Sequence, residues 1–240
     1  MRIDIWSDIA CPWCYIGKRR IESALESFEH RDRVEVVWHS FELDPGAPVP
    51  PTQKTAVHLA QKYGGGPEQI AEMTQRVAET AKGEGLDYRL DDTLHVATRD
   101  AHRLLHLALE VGGSRQQDDL KERLLEDYFV RALDVSDHAV LKTAALEVGL
   151  DEEQVDRVLG SDAYDAEVSA DIQQARSLGA QGVPFFVIDE AYGVSGAQPT
   201  EVFAGALQQA WDARPRLTTI AGDADAQACG PDGCEVPQSS

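Results

Sequence analysis

Cys11-Pro12-Trp13-Cys14 restricts how this chain can fold more than any other stretch, because it stands where an apolar run ends and a helical pattern begins. From Arg2 to Ser7 the isoleucines Ile3 and Ile5 alternate with Arg2 and Asp4, and Trp6 prolongs the apolar character, which predicts a mostly buried strand. Pro12 suits the first helical position, where its missing N–H costs nothing and its fixed φ is already helical. Cys11 is then the N-cap, and Cys14 lies one turn further on the same face. Two sulfurs so placed can meet, since a disulfide needs Cα atoms about 4.4–6.8 Å apart. Their chemistry is unequal: the unpaired N–H groups and the positive end of the helix dipole favour a thiolate at Cys11, whereas Cys14 sits behind it. Cys11 is the expected attacking nucleophile and Cys14 the resolving thiol. The competing reading is half of a structural zinc site, which needs two more ligands. The other cysteines, Cys229 and Cys234, lie at the far end with a different spacing.

After the motif, Ile16, Ile21, Leu25 and Phe28 recur between charged residues, an amphipathic helix. A second strand is predicted over 34–38, continuing more weakly through 41–43, and two strands joined by one helix should pair in parallel. Residues 44–51 hold Pro45, Pro48, Pro50 and Pro51, too many for a helix or a central strand, and mark a boundary. From 52 to 178 the pattern is almost wholly helical. Helices are expected over 55–63, 67–84, 98–111, 116–130, 137–148, 151–159 and 163–178, with glycine breaks at 64–66, 83–85, 112–113 and 160 and with Ser136 and Ser161 at helix starts. Strand character returns over 183–188, and Asp189-Glu190 leads into 192–196 as an antiparallel hairpin. Pro199 opens a last helix through Trp211, after which the chain becomes small and polar. The expected organisation is one α/β unit from 1–46 and 179–213, a helical insertion over 47–178 and a tail over 214–240. Pro184 would remove a ladder donor from an apolar strand, so it belongs at a strand start, an edge or a cis turn.

The formal net charge of −20 argues against nucleic acid and anionic membrane surfaces as partners, because holding phosphates needs clustered Lys and Arg. No apolar run approaches the roughly 18 residues of a spanning helix. The N-terminus enters a strand at once instead of a secretory leader, so a cytoplasmic location is expected. In that reducing compartment paired cysteines are catalytic, redox-sensing or metal-binding more often than structural. His102 and His106, with Glu110 continuing their face, have a spacing that can hold zinc. The plainer reading packs Leu104, Leu105, Ala108 and Leu109 inward and leaves the imidazoles at the edge of the insertion. Asp118-Asp119 and Asp151-Glu152-Glu153 read as solvated helix starts.

Taken together, β-α-β carrying Cys11-Pro12-Trp13-Cys14, a helical insertion, and Gly182-Val183-Pro184-Phe185-Phe186 opening a hairpin before a final helix resemble the thioredoxin-fold DsbA family. Within it, Ala101-His102-Arg103-Leu104-Leu105, the run from Gly182 to Ile188, and Tyr192-Gly193-Val194-Ser195-Gly196-Ala197-Gln198-Pro199 are similar to the cytoplasmic FrnE-type branch. That branch is related to 2-hydroxychromene-2-carboxylate isomerase and the kappa-class glutathione transferases. The resemblance implies an α/β thioredoxin fold, β-α-β then β-β-α, with a large all-helical insertion. It further implies a thiol–disulfide oxidoreductase: Cys11 forms the mixed disulfide, Cys14 resolves it, and Pro12 and Trp13 tune the pair. A cis Val183-Pro184 peptide would face the cysteines and offer the Val183 backbone to an extended substrate.

No cofactor beyond redox-active disulfides and no metal is implied. The partners would be protein or small-molecule thiols and disulfides, glutathione being a candidate co-substrate, and the chain a monomer or homodimer. Cys229-Gly230-Pro231-Asp232-Gly233-Cys234 encloses a β-turn sequence. Some FrnE-type proteins resemble this chain in a C-terminal C-x4-C, there a second redox centre that exchanges with the first. A flexible linker of 16 residues, Ala213 to Ala228, spans roughly 20–24 Å, enough for that exchange.

Two departures matter. Thioredoxins carry a buried acid six residues before the nucleophile, where this chain has Ile5, so proton removal from Cys14 must use water, Asp8 or another group. DsbA proper has histidine where Trp13 stands, so the expected potential is well below its roughly −120 mV and nearer the thioredoxin value of about −270 mV. The alternative enzyme is a glutathione-dependent isomerase or transferase of the related types, which commonly keep serine at the nucleophile position. A third reading is a zinc-binding or chaperone-like protein.

Overall fold

The computed structural model describes residues 1–64 and 66–214, so the expected tail with Cys229 and Cys234 lies outside the described residues. The sheet is assembled on β1 (Arg2–Ser7), buried from its second residue onward. β1 pairs in parallel with β2 (Glu35–Ser40) and antiparallel with β3 (Phe185–Ile188), which turns back into β4 (Tyr192–Ser195). Among the described residues the order is β2-β1-β3-β4. Strand pleating sends Ile3 and Ile5 to one face. There they meet Trp38, Phe186 and Ile188 from the sheet, and Ile21, Phe203 and Leu207 from α1 (Pro12–Glu26) and α8 (Thr200–Asp212). Trp6 points the other way, against Phe185, Val187 and Ala175. The sequence of elements is thus β-α-β, insertion, β-β-α.

The insertion comprises α2 (Thr55–Tyr63), α3 (Pro67–Gly83), α4 (Arg99–Phe129), α5 (His138–Glu147), α6 (Glu152–Leu159) and α7 (Asp165–Ser177). Its core, which includes Leu104, Leu120, Leu124, Leu141 and Val155, is continuous with Ile9, Tyr15 and Ile16 around the start of α1. The two apolar masses therefore join at the end of the sheet that carries the paired cysteines. Among the described residues no helix is long and apolar enough to cross a membrane.

The break expected at Gly112-Gly113 is present: Gly113 leaves helical geometry at φ 70°, ψ −169°, a conformation open to glycine, so the span written α4 is two helices that meet at a kink there. Several other local expectations need correction. β2 ends at Ser40, so 41–43 is not strand, although the Phe41 N–H still donates to the Ser7 carbonyl at 3.2 Å. Ser136 does not cap α5. Its hydroxyl donates to Asp134 at 2.6 Å, and the Asp137 carboxylate, a stronger acceptor beside a helix start, takes the Ala139 N–H at 2.8 Å. Ser161 does not cap α7 either: its hydroxyl accepts from the Ala163 N–H at 3.2 Å and donates to the Arg157 carbonyl at 2.7 Å, but α7 begins only at Asp165, after a left-handed Tyr164.

β2 is an edge strand, and unpaired edge groups invite pairing with another chain. Here the insertion takes three of them. The buried Gln117 amide of α4 accepts from the Trp38 N–H at 2.9 Å and donates to the Trp38 carbonyl at 2.8 Å, while Asp171 of α7 accepts from the Ser40 N–H at 2.8 Å. Asp118 is not merely solvated: it accepts from the Trp38 indole at 2.8 Å and pairs with Lys18 at 3.2 Å. Asp171 also holds His39 at 2.9 Å and His106 at 3.0 Å, and His39 reaches Asp4 at 2.7 Å under the stacked ring of Trp6.

Candidate active site

Cys11 caps α1 with extended backbone, φ −94° and ψ 112°, and Pro12 opens the helix. The Cys14 N–H donates to the Cys11 carbonyl at 3.0 Å and the Cys11 N–H to the Asp8 carbonyl at 3.3 Å, which winds the loop tightly into the helix. Both cysteines are free thiols; Cys11 is 3% exposed and Cys14 is fully buried. Trp13 stands outward beside them, 39% exposed. Burial pushes the Cys14 thiol well up and the adjacent Cys11 side chain adds to the rise, while Lys121 and the Asp8 backbone pull it down.

The turn before β3 closes the site from the other side. The Cys11 thiol lies 3.5 Å from the Val183 carbonyl oxygen, and the Val183–Pro184 peptide is cis. α1 comes close to this turn at Gly17, where an added Cβ would stand 3.0 Å from Pro184 Cγ and 3.2 Å from Phe186 Cζ. Cys11, Pro12, Trp13, Cys14, Val183 and Pro184 thus meet at one place, whereas Cys229 and Cys234 lie outside the described residues.

The insertion completes the surroundings. Asp8 is buried and accepts from the Leu43 N–H at 2.7 Å and the Thr98 hydroxyl at 2.8 Å, with His102 Nε2 at 3.4 Å. Burial alone would raise its carboxyl; His102, Leu43 and Thr98 together hold it below the usual range. The Tyr88 hydroxyl donates to the Pro12 carbonyl at 2.8 Å, and its ring stacks on Phe129. A groove of about 600 Å³ opens beside the motif, with Cys11, Trp13 and Val183 at one end and Leu59, Met73 and Val77 from α2 and α3 along its walls. Apolar walls ending at a thiol suit an extended segment with apolar side chains.

Residues 2–208 match the family described as DSBA-like thioredoxin domain. This chain belongs to that family. A probable DsbA oxidoreductase from Streptomyces coelicolor is similar to it at 51% identity, with 99% of each chain covered and a TM-score of 0.86. The uncharacterized protein YwbO of Bacillus subtilis (strain 168) is 26% identical over 209 residues, 86% of this chain and 96% of that protein. A 2-hydroxychromene-2-carboxylate isomerase shares the fold at 11% identity, with a TM-score of 0.63 over 87% of this chain and 95% of that one.

In this DSBA-like protein the histidines noted for their spacing do not converge. His102 faces Asp8, His106 pairs with Asp171, and Glu110 accepts from the Tyr164 hydroxyl at 2.8 Å. A different set does draw together: His95 Nε2 lies 2.8 Å and His58 Nε2 3.7 Å from one oxygen of Asp44. The two rings stack with centroids 3.6 Å apart, so their in-plane lone pairs run side by side, a poorer set for one cation than converging tetrahedral ligands. Sequence reasoning missed Gly17, Tyr88 and Lys121. Gly17 carries a readable signal, as the only glycine in a helix that must pack closely. Tyr88 and Lys121 reach the site from the insertion and carry none.

Proposed function

We propose that this DSBA-like chain is a dithiol–disulfide oxidoreductase acting on disulfides in extended polypeptide segments. The observation that carries the reading is the meeting of Cys11, at a helix start, with the Val183 carbonyl beside an apolar groove. The Cys11 thiolate, at the start of α1, attacks one substrate sulfur, forms a mixed disulfide and releases the other substrate sulfur as a thiolate. The Cys14 thiolate then attacks Cys11 Sγ, the bond from Cys11 to substrate breaks, and a Cys11–Cys14 disulfide forms as the second substrate thiolate leaves. Two electrons pass from the dithiol to the substrate, and the reverse sequence oxidises a substrate dithiol. Val183 offers backbone groups to the bound segment, and Trp13 flanks it. A small thiol such as glutathione restores the dithiol, and Cys229/Cys234 relays electrons to or from Cys11/Cys14 within one chain.

Insulin reduction in dithiothreitol tests the reading. The full chain catalyses it, Cys11→Ser does not, and Cys14→Ser accumulates a mixed disulfide visible on a non-reducing gel. Turnover of glutathione conjugates by Cys14→Ser without any insulin reduction by the unmodified chain would replace the reading with an isomerase or transferase. A Cys229→Ser/Cys234→Ser chain that turns over protein disulfides at the unmodified rate would remove the relay.

A further inference from the structure

The groove beside Cys11 carries hydroxyls on its walls, from Thr55, Thr74, Thr80, Thr93 and Tyr128, but the proton of each is spent inside the fold. The Tyr128 hydroxyl donates to the Leu94 carbonyl at 2.8 Å, so Thr55, 3.0 Å away, donates to Tyr128. Thr74, Thr80 and Thr93 donate to the carbonyls of Ile70, Arg76 and Leu90 at 3.1, 2.9 and 2.9 Å. None of the five is left to donate to an anion. Arg76 of α3 is. Among the described residues it is the only charged side chain lining the groove, three residues after Met73 and four before Thr80 on the helix face turned that way. It is exposed, and its guanidinium has no hydrogen-bond or ion-pair partner among the described residues. Around the mouth Trp13, Leu43 and Tyr63 are exposed as well, an apolar rim wider than a small thiol would cover.

We propose that Arg76 selects the substrate: the groove takes a polypeptide segment in which an aspartate or glutamate stands among the apolar residues near the cysteine, and Arg76 pairs with that carboxylate. This rests on the oxidoreductase reading above and narrows its substrate class. The planar guanidinium matches a carboxylate with two parallel hydrogen bonds, a fit that a lysine would not give. Apolar side chains of the segment lie against Leu59, Met73 and Val77, and the water they displace leaves the ion pair in a less polar setting, which strengthens it. With a formal net charge of −20 the chain as a whole repels acidic segments, so a preference for one is local to this guanidinium. The rim of Trp13, Leu43 and Tyr63 suits a chain that continues beyond the groove, which favours a polypeptide over a small anionic thiol such as glutathione. Arg76 touches no reacting atom in this arrangement; it sets specificity.

The test uses the full chain carrying Cys229→Ser/Cys234→Ser, so that Cys11 and Cys14 are its only thiols. The probes are apolar peptides with blocked ends, each holding a cysteine capped as its 2-thiopyridyl disulfide and either glutamate or glutamine at successive positions beside it. Release of 2-thiopyridone gives the second-order rate constant, divided by that of dithiothreitol on the same peptide to remove intrinsic reactivity. A parent no faster than Cys11→Ser sinks the oxidoreductase reading itself. With release established, the parent favours glutamate over glutamine at one or two positions by about fivefold, the upper end for a partly exposed ion pair. Arg76→Gln brings that ratio below about twofold, and Arg76→Glu turns the preference to a lysine peptide of the same design. A parent ratio below about twofold at every position overturns the proposal, and so does a ratio that survives in Arg76→Gln. Glutathione capped as its 2-thiopyridyl disulfide distinguishes the other source of a carboxylate: dependence on Arg76 for that probe and for no peptide would assign the groove to a small thiol and overturn the polypeptide.

Discussion

Replacing Gly17 by alanine sets helix propensity against packing. Gly17 lies inside α1, where alanine is better than glycine by about 1 kcal/mol, so in open space the change would stabilise the protein. The space is not open. The new methyl would stand 3.0 Å from Pro184 Cγ and 3.2 Å from Phe186 Cζ, both tighter than an ordinary carbon contact. Neither neighbour can yield easily: the Pro184 ring is fixed at the entrance to β3, and Phe186 is 1% exposed with its ring against Phe203. Overpacking of this kind costs about 1–3 kcal/mol, which exceeds the propensity gain and leaves a net loss of about 1 kcal/mol. For a chain of this size that lowers Tm by about 2–4 °C, read by circular dichroism and confirmed by urea unfolding. Because α1 relieves the contact by moving away from β3, Cys11 retreats from Val183, and insulin reduction falls more than reaction with a small disulfide. A Tm at or above that of the unmodified chain, with unchanged insulin reduction, would show that the approach of helix to turn constrains nothing.

Other expectations follow from the covered edge and the polar cluster beside it. Burial alone would lower His39, but hydrogen bonds to Asp171 and Asp4 raise it to about 9. A folded value above the unfolded one of about 6.5 gives stability that is whole below about pH 6.5 and lost as pH rises through about 9, about 3 kcal/mol in all. Urea stability of the unmodified chain should therefore fall across that window more steeply than that of His39→Gln; parallel profiles would refute the pairing. Gln117→Leu strips partners from both backbone groups of Trp38 and should cost about 2–4 kcal/mol in urea unfolding. A loss below about 1 kcal/mol would mean that the strand edge is satisfied in some other way.

What the sequence reveals and conceals follows from how local each signal is. β1, the helix start at Pro12 and the hairpin into β4 are legible because pleat period, a proline at the first helical turn and an apolar run each fit within a few residues. The cap at Ser136 fails for the opposite reason, since a hydroxyl and a carboxylate stand side by side and which one takes the helix N–H depends on where the chain turns; Ser161 does take the Ala163 N–H, but the chain turns again at Tyr164 before α7 begins. The Gly112-Gly113 break is legible too, because a glycine pair supplies the non-helical backbone at Gly113 that separates the two halves of α4. Cys11 and Cys14 are visible as a pair in the sequence. Lys121, Gln117 and Asp171 are not, because each looks like an ordinary surface residue of an amphipathic helix until α4 and α7 dock on β2.

Because Gln117 and Asp171 take the outer backbone groups of β2 at Trp38 and Ser40, the helical insertion cannot be treated as a removable accessory. A minimal protein spliced from the sheet-forming segments alone would present a raw strand border and an uncovered indole at Trp38, and such a fragment is expected to gather into aggregates instead of yielding a smaller enzyme. Engineering that aims to shorten this scaffold must first supply that border with substitutes for one amide and one carboxylate.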